Sequence, residues 1–460
     1  MAITTKNLPK ERKDEGVWSH MFSTHSFEPV LERAEGIYLF DEDGNRYIDA
    51  SGGPIAINLG HGDPRVAEAV SEQMKKFSYC HPTLSNRPRA ELCEKIAKVL
   101  PPSLNTIYLV SGGSEAVETA MKAARQYHVL TGNPGKHKIV TNHDSYHGMT
   151  LATMAASGNP SSQRHFEPML QDWPKVQQYS PTNKPDGMSD IDWAYKCAED
   201  LEKTIHYAGH GSVAAYLATP VGCGSDYGVM APAEYWRAVR EICDRHEVLL
   251  IDDEVVAGFG RTGKWFAIEH FGIEPDIITM GKGMSSLYAP LGGVAVSDKI
   301  NEPFAQGAGF VHGFTCAGHP VAAAVGSKVM DIIEDDRLIE NSAETGQYLQ
   351  EKCNELLEHP TLVDVRGEGL LRVGELVKNK ETMEFFDRSD HAESRFQSMA
   401  LSNGLAFYGT LYGSRRIPSM RRGLPMFLVP PLCITREQVD DLVERLDQTL
   451  SEWEESLGVS

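Results

Sequence analysis

The middle of the chain alternates between short apolar runs and longer stretches whose apolar residues recur at helical intervals. Residues 106–110, 213–217, 248–251 and 277–279 are runs of strand length, and 138–141 starts like one. Strands buried on both faces of a parallel sheet carry such runs in place of a strict alternation. Residues 233–246, just after Pro232, space their apolar side chains as a helix does, and proline suits a helix's first turn. Strand, amphipathic helix, strand is the pattern of a βαβ unit, so an α/β region with a mostly parallel sheet flanked by helices is expected here.

The flanking regions read differently. Residues 36–40 and 46–48 bracket Asp41, Glu42, Asp43, Gly44 and Asn45, and Asp-Gly favours the positive φ of a tight hairpin. Helical spacing follows at 64–76 and 88–100. From about residue 332 the pattern becomes α+β, with helices near 343–357, 392–403 and 436–457. The stretch 409–425 is long, basic and contains glycine, which makes it a candidate for substrate contact.

Composition narrows the function classes. With 44 basic and 64 acidic residues among 460, the net charge of −20 argues against nucleic acid or an anionic membrane as the main partner. Eight cysteines show no CxxC and no His/Cys ligand spacing, so free thiols in a reducing compartment are expected and no metal site is. The polar stretch 1–16 lacks the apolar core of a secretory signal, and no run approaches bilayer length, so the expected location is cytoplasmic.

Four segments carry candidate chemistry. Ser111, Gly112, Gly113 and Ser114 open a helix after the first apolar run, where small residues let backbone N–H groups close on an anion such as phosphate; an ordinary glycine loop would read the same way. His143 to Gly148 places Tyr146 and His147 beside a glycine in a polar loop, so an aromatic face could stack on a flat ring, or simply pack locally. Asp253 ends the run 248–251, and Lys282 follows 277–279, 29 residues further on. Functional groups of open α/β sheets collect beyond the strands' carboxyl ends. A lysine and a carboxylate on neighbouring strand ends suit an aldehyde cofactor with a pyridine ring: the amine supplies an imine nitrogen and the carboxylate keeps the ring nitrogen protonated. Asp252 competes for the second role, because adjacent strand residues point to opposite faces. Val255 shares the parity of Asp253.

Asp253-Glu254-Val255, Gly258-Phe259-Gly260-Arg261-Thr262-Gly263, Met280-Gly281-Lys282-Gly283 and Pro290-Leu291-Gly292-Gly293 together closely resemble the class III pyridoxal phosphate-dependent aminotransferases, the ω-aminotransferase group, over nearly the whole chain. The resemblance implies fold type I, with a large cofactor domain over 66–330 and a small α+β domain built from both chain ends, 1–65 and 331–460. It implies Lys282 as the Schiff-base residue and proton shuttle and Asp253 as the partner of the pyridinium. Gly113 and Ser114 would take the phosphate, Tyr146 would stack on the ring with His147 beside it, and Val255 would lie beneath. Thr315 resembles the residue that a second subunit contributes to the same phosphate, which implies a homodimer and allows a tetramer. Arg421 and Arg422, with Arg415 and Arg416 in the same loop, are candidates for the oxo acid's carboxylate, for which a guanidinium fork is suited.

Two positions depart from the family's pattern. Thr219-Pro220-Val221 stands where Glu-Pro-Val or Glu-Pro-Ile is usual, removing the carboxylate that gates an arginine in several relatives. Ile55 stands where the amine pocket often has a large aromatic. The expected reaction is transfer of an amino group from a primary amine or ω-amino acid to a 2-oxo acid such as pyruvate, by ping-pong kinetics. Racemases, aminomutases and decarboxylases share the motifs, and a non-catalytic protein keeping the fold is a further alternative. A nicotinamide dehydrogenase would want GxGxxG in a first βαβ unit, which has no good counterpart here.

Overall fold

A computed structural model describes residues 29–209, 211–222, 227–307, 309–409 and 423–459. Its first strands, β1 (Leu31–Glu35), β2 (Tyr38–Asp41) and β3 (Arg46–Asp49), run antiparallel, with the Asp-Gly hairpin between β2 and β3. Asp41 closes that turn by accepting hydrogen bonds from the backbone of Asp43 and Asn45 and from the Tyr47 hydroxyl.

The central sheet holds β4 (Leu104–Val110), β5 (Lys138–Asn142), β6 (Lys175–Val176), β7 (Val213–Ala218), β8 (Leu249–Asp253), β9 (Ile277–Met280) and β10 (Gly292–Ser297). Their order is β4-β10-β9-β8-β7-β5-β6. From β6 through β9 neighbours are parallel, while β10 is antiparallel to both β4 and β9. β10 is absent from the apolar runs named above. Its Gly292 faces the carbonyl of Gly112, where an added Cβ would come within 2.6 Å, so glycine there serves the approach of two backbones.

The helices in chain order include α1 (Pro64–Lys76), α2 (Arg87–Val99), α3 (Gly113–Leu130), α4 (Asp190–Tyr207) and α5 (Ala233–Arg245). Side chains alternate across the sheet. Leu217, Leu249, Ile251 and Ile277 pack with α3, whereas Tyr216, Leu250, Ile278 and Met280 belong to the larger core that includes α4 and α5. α5 shows why the pattern folds: Tyr235, Trp236, Val239, Ile242 and Cys243 form one buried stripe, and burying each large apolar side chain stabilises by about 1.5–3 kcal/mol.

Toward the C-terminus α6 (Pro320–Asp335) packs across α1 and α2, and α7 (Leu338–Glu355) begins five residues before the helix expected at 343. β11 (Leu362–Glu368), β12 (Leu371–Leu376) and β14 (Leu424–Leu428) form an antiparallel sheet, and β13 (Leu405–Ala406) joins β3 in parallel, so the first sheet contains strands from both ends of the chain. The expected loop 409–425 ends inside β14; its residues 410–422 lie outside the described residues. α8 (Ala392–Ser402) packs on α9 (Arg436–Leu457), which has legible caps: Thr435 and Gln438 form a capping box, and Gly458 ends the helix with φ 66°.

Arg261 binds the regions together. Fully buried, it donates to the carbonyls of Pro430, Leu370 and Ile57 and to Asn58 Oδ1.

Candidate active site

β8 and β9 are adjacent and parallel, so their carboxyl ends open on one edge of the sheet, with Asp253 opposite Thr279. Lys282 follows β9 in a one-turn helix, Lys282–Met284, and its backbone is left-handed at φ 40°. Gly113, Ser114, Tyr146, His147, Asp253 and Lys282 line a single cavity at this edge. Gly148, Thr219, Gly222, Val255 and Val256 complete its wall. A larger surface groove, about 710 Å³ against about 160 Å³, runs between the β2–β3 hairpin and α9, but Arg46, Asn403, Asp441 and Arg445 there are ordinary surface side chains.

Strand parity separates the two aspartates. Asp253 shares a sheet face with Leu249 and Ile251, the face α3 covers, and reaches the cavity; Asp252 points with Leu250 into the opposite core. Three donors converge on Asp253. His147 Nδ1 lies 2.7 Å from Oδ2, and the Thr279 hydroxyl and the Val255 N–H donate to Oδ1 at 3.1 and 3.2 Å. A carboxylate oxygen accepts, so the hydrogen bond suits the His147 tautomer with its proton on Nδ1.

Behind the strand the surroundings differ. Burial, and then the neighbouring Glu254 carboxyl, push Asp252 well above the carboxylate range. Burial likewise raises Glu254 to about 8, although its Oε1 accepts from the Ile268 N–H at 2.8 Å. Burial holds both carboxyl groups toward the neutral form.

The amino end of α3 faces the cavity with no side-chain cap from Gly112, while Glu115 turns back to accept from the Ser111 N–H at 2.7 Å. The first-turn N–H groups are thereby left for an anion. Glycine is required by packing at two points. A Cβ on Gly113 would meet Val255 at 2.6 Å, and one on Gly148 would meet Ser114 Oγ at 2.4 Å.

The remaining candidates sit elsewhere. Ile55 is 5% exposed, packs in the main core and is not among the residues lining the cavity. Thr315 is exposed outside the cavity of its own chain, and its carbonyl accepts from the Tyr79 hydroxyl at 2.9 Å. Arg415, Arg416, Arg421 and Arg422 lie outside the described residues. Sequence reasoning missed Thr279, whose signal is its place on β9 with the parity that faces Asp253, and it placed His147 at the cofactor without its bond to Asp253.

Comparison with known proteins decides the family. The model of the aminotransferase class-III family matches residues 22–450. The chain is a class III aminotransferase. It is 35% identical over 435 residues to the putrescine–pyruvate aminotransferase of Pseudomonas aeruginosa, covering 91% of each chain. The crystal structure of an (S)-enantioselective ω-transaminase from Thermomicrobium roseum superimposes with a TM-score of 0.89 at 34% identity, covering 96% of this chain and 98% of that one. An ω-transaminase from Pseudomonas jessenii, solved in complex with PMP, gives 0.90 at 29% identity, covering 98% and 99%. The aminotransferase thus has the α/β fold of type I transaminases, and its family uses pyridoxal 5'-phosphate. The residues present fit that group: an uncapped helix end for a phosphate, an aromatic wall, a hydrogen-bonded carboxylate and a lysine border one cavity.

Proposed function

We propose that this aminotransferase moves an amino group from a primary amine or ω-amino acid to a 2-oxo acid such as pyruvate, with Lys282 as the covalent anchor of pyridoxal phosphate. The reading rests on one observation: Lys282, Asp253 and the amino end of α3 border the same cavity. When bound, the cofactor supplies an electron-accepting ring and a carbonyl carbon that exchanges its bond to lysine for one to the substrate amine.

The chain's own groups would do the rest. Asp253, held by His147, Thr279 and Val255, would pair with the ring nitrogen. Gly113 and Ser114 would hold the phosphate with backbone N–H groups, and Tyr146 and Val255 would contact the ring. Lys282 Nζ would take the proton from the carbon bearing the amine and deliver it to the carbon that the lysine had anchored. Thr219 puts a hydroxyl in the wall where a gating carboxylate would stand, so the acceptor's carboxylate is assigned to Arg421 or Arg422 without a switch.

We further propose a homodimer in which the exposed Thr315 serves the partner's phosphate, and a cytoplasmic location, which suits the seven described free cysteines. The test is a donor-by-acceptor panel with pyruvate and 2-oxoglutarate, alongside absorbance and sedimentation. Donor alone should convert the aldehyde-form absorbance to the amine form, with parallel double-reciprocal lines when both substrates vary. Product without that conversion would favour a racemase or decarboxylase instead.

A further inference from the structure

The turn that carries Lys282 holds three non-glycine residues in left-handed backbone: Lys282 at φ 40°, Ser286 at 48° and Leu287 at 53°. Such backbone is strained for a residue with a Cβ and persists only where surrounding contacts over-determine it. The turn's own hydrogen bonds are short-range, from Met284 N to Gly281 O, Ser285 N to Lys282 O and Ser286 N to Gly283 O. They do not fix it against the rest of the protein.

The long-range hydrogen bonds of residues 283–288 run to one segment far away in sequence. Ser286 Oγ accepts the backbone N–H groups of both Asn58 and Leu59, at 2.9 and 3.0 Å. The Tyr288 hydroxyl donates to Gly60 O at 2.9 Å and accepts from the Asp63 N–H at 2.8 Å. Asn58 is packed against the residue after the lysine, since a Cβ on Gly283 would meet its Nδ2 at 2.4 Å. Asn58 is itself fixed by Phe259 O, by Arg261 and by the Leu432 N–H. Ser286 and Asn58 are 1% and 2% exposed, so water does not compete for these bonds. The 58–63 segment is in turn anchored by His61 on Asp49, whose carboxylate also accepts from the Gly53 N–H.

We propose that Ser286, with Asn58 and Tyr288, is a positioning residue for the reaction: the staple to residues 58–63 holds the strained turn, and so sets the direction from which Lys282 Nζ meets the cofactor. The inference rests on the assignment of Lys282 as the anchor. Without the staple the turn relaxes toward negative φ and the amine swings away from its productive line, while binding groups elsewhere in the cavity stay in place. The loss therefore falls on kcat and on the lysine-bound cofactor's own titration, not on KM.

Ser286→Ala removes the shared acceptor without branching the side chain. In the holoenzyme, Ser286→Ala is expected to lower kcat about tenfold with donor KM within about twofold, since small misplacements of a reacting group cost that much or more. The pH midpoint of the visible absorbance of lysine-bound pyridoxal phosphate should move by about half a unit. Tyr288→Phe, which removes the neighbouring pair of bonds, should give about a threefold loss and a midpoint shift of the same sign, and it takes the place of Ser286→Ala if that variant fails to fold. An unmoved midpoint, or shifts of opposite sign in the two variants, overturns the staple. Borohydride reduction and peptide mass analysis of the unaltered enzyme separate the two readings: cofactor trapped elsewhere than Lys282 defeats the anchor, whereas cofactor on Lys282 with an indifferent Ser286→Ala defeats only the staple.

Discussion

Asp252 and Asp253 are consecutive, 1% and 5% exposed, and end the same strand, yet the structure gives them opposite chemistry. On the α3 face Asp253 receives three donors and borders the cavity. On the other face Asp252 lies beside Glu254, and burial, then that neighbouring carboxyl, drives it toward the neutral form. Two buried carboxyl groups thus meet different surroundings, hydrogen-bond donors on one face and a second buried carboxyl on the other. Parity assigns the donors, because the loop after β5 brings His147, and β9 brings Thr279, to one face only.

The largest effect that would sharpen this contrast comes from the cavity side. Lys282→Ala should abolish covalent cofactor and lower turnover by about 10⁴-fold or more, with the oligomer intact by sedimentation. Normal activity in that variant would remove the lysine from the reaction. Asp253→Asn should keep part of the cofactor and lose about 100-fold or more in kcat, while Asp252→Asn stays within about threefold of the unaltered enzyme. The reverse ranking in steady-state assays would break the comparison outright.

A smaller effect lies behind the strand. The raised pKa of Glu254 means that its contribution to stability is complete below the ordinary value of 4.5 and is lost as pH climbs to about 8. Glu254→Gln cannot ionise, so its stability relative to the unaltered protein should improve between those pH values and level off above them, read from urea midpoints, with turnover changed by about threefold at most.

The smallest expected effect is far from the site. His359 is held between Glu454 and Asp447, 2.8 and 2.9 Å away, tying α9 to the segment before β11, and the bond to Glu454 is the main reason its pKa is raised. That stability is full below about 6.5 and fades as pH rises through the higher folded value. His359→Asn should therefore cost at most about 2 kcal/mol, with the deficit shrinking in alkaline buffer and kcat unchanged. A deficit that grew with pH would show the histidine to be neutral.

The periodicity of apolar residues by itself specified β7, β8, β9 and α5, because continuous runs and helical stripes answer to local burial, and the caps of α9 can be read from Thr435, Gln438 and Gly458. Motif order pointed to Lys282, Asp253, Gly113, Ser114 and Tyr146, residues whose types are dictated by chemistry at strand and helix ends. Three things needed the tertiary structure. The sequence alone could not choose between Asp252 and Asp253 without the family resemblance, since the choice depends on which sheet face α3 covers. It did not show that β10 runs antiparallel between β4 and β9, since its pairing with β4 joins residues more than a hundred positions apart and leaves no local mark. Nor did it join Ser286 to Asn58, a contact spanning 228 residues. Local pattern records what each segment buries, whereas the partners a polar group meets are set only when distant backbones are brought to hydrogen-bond distance.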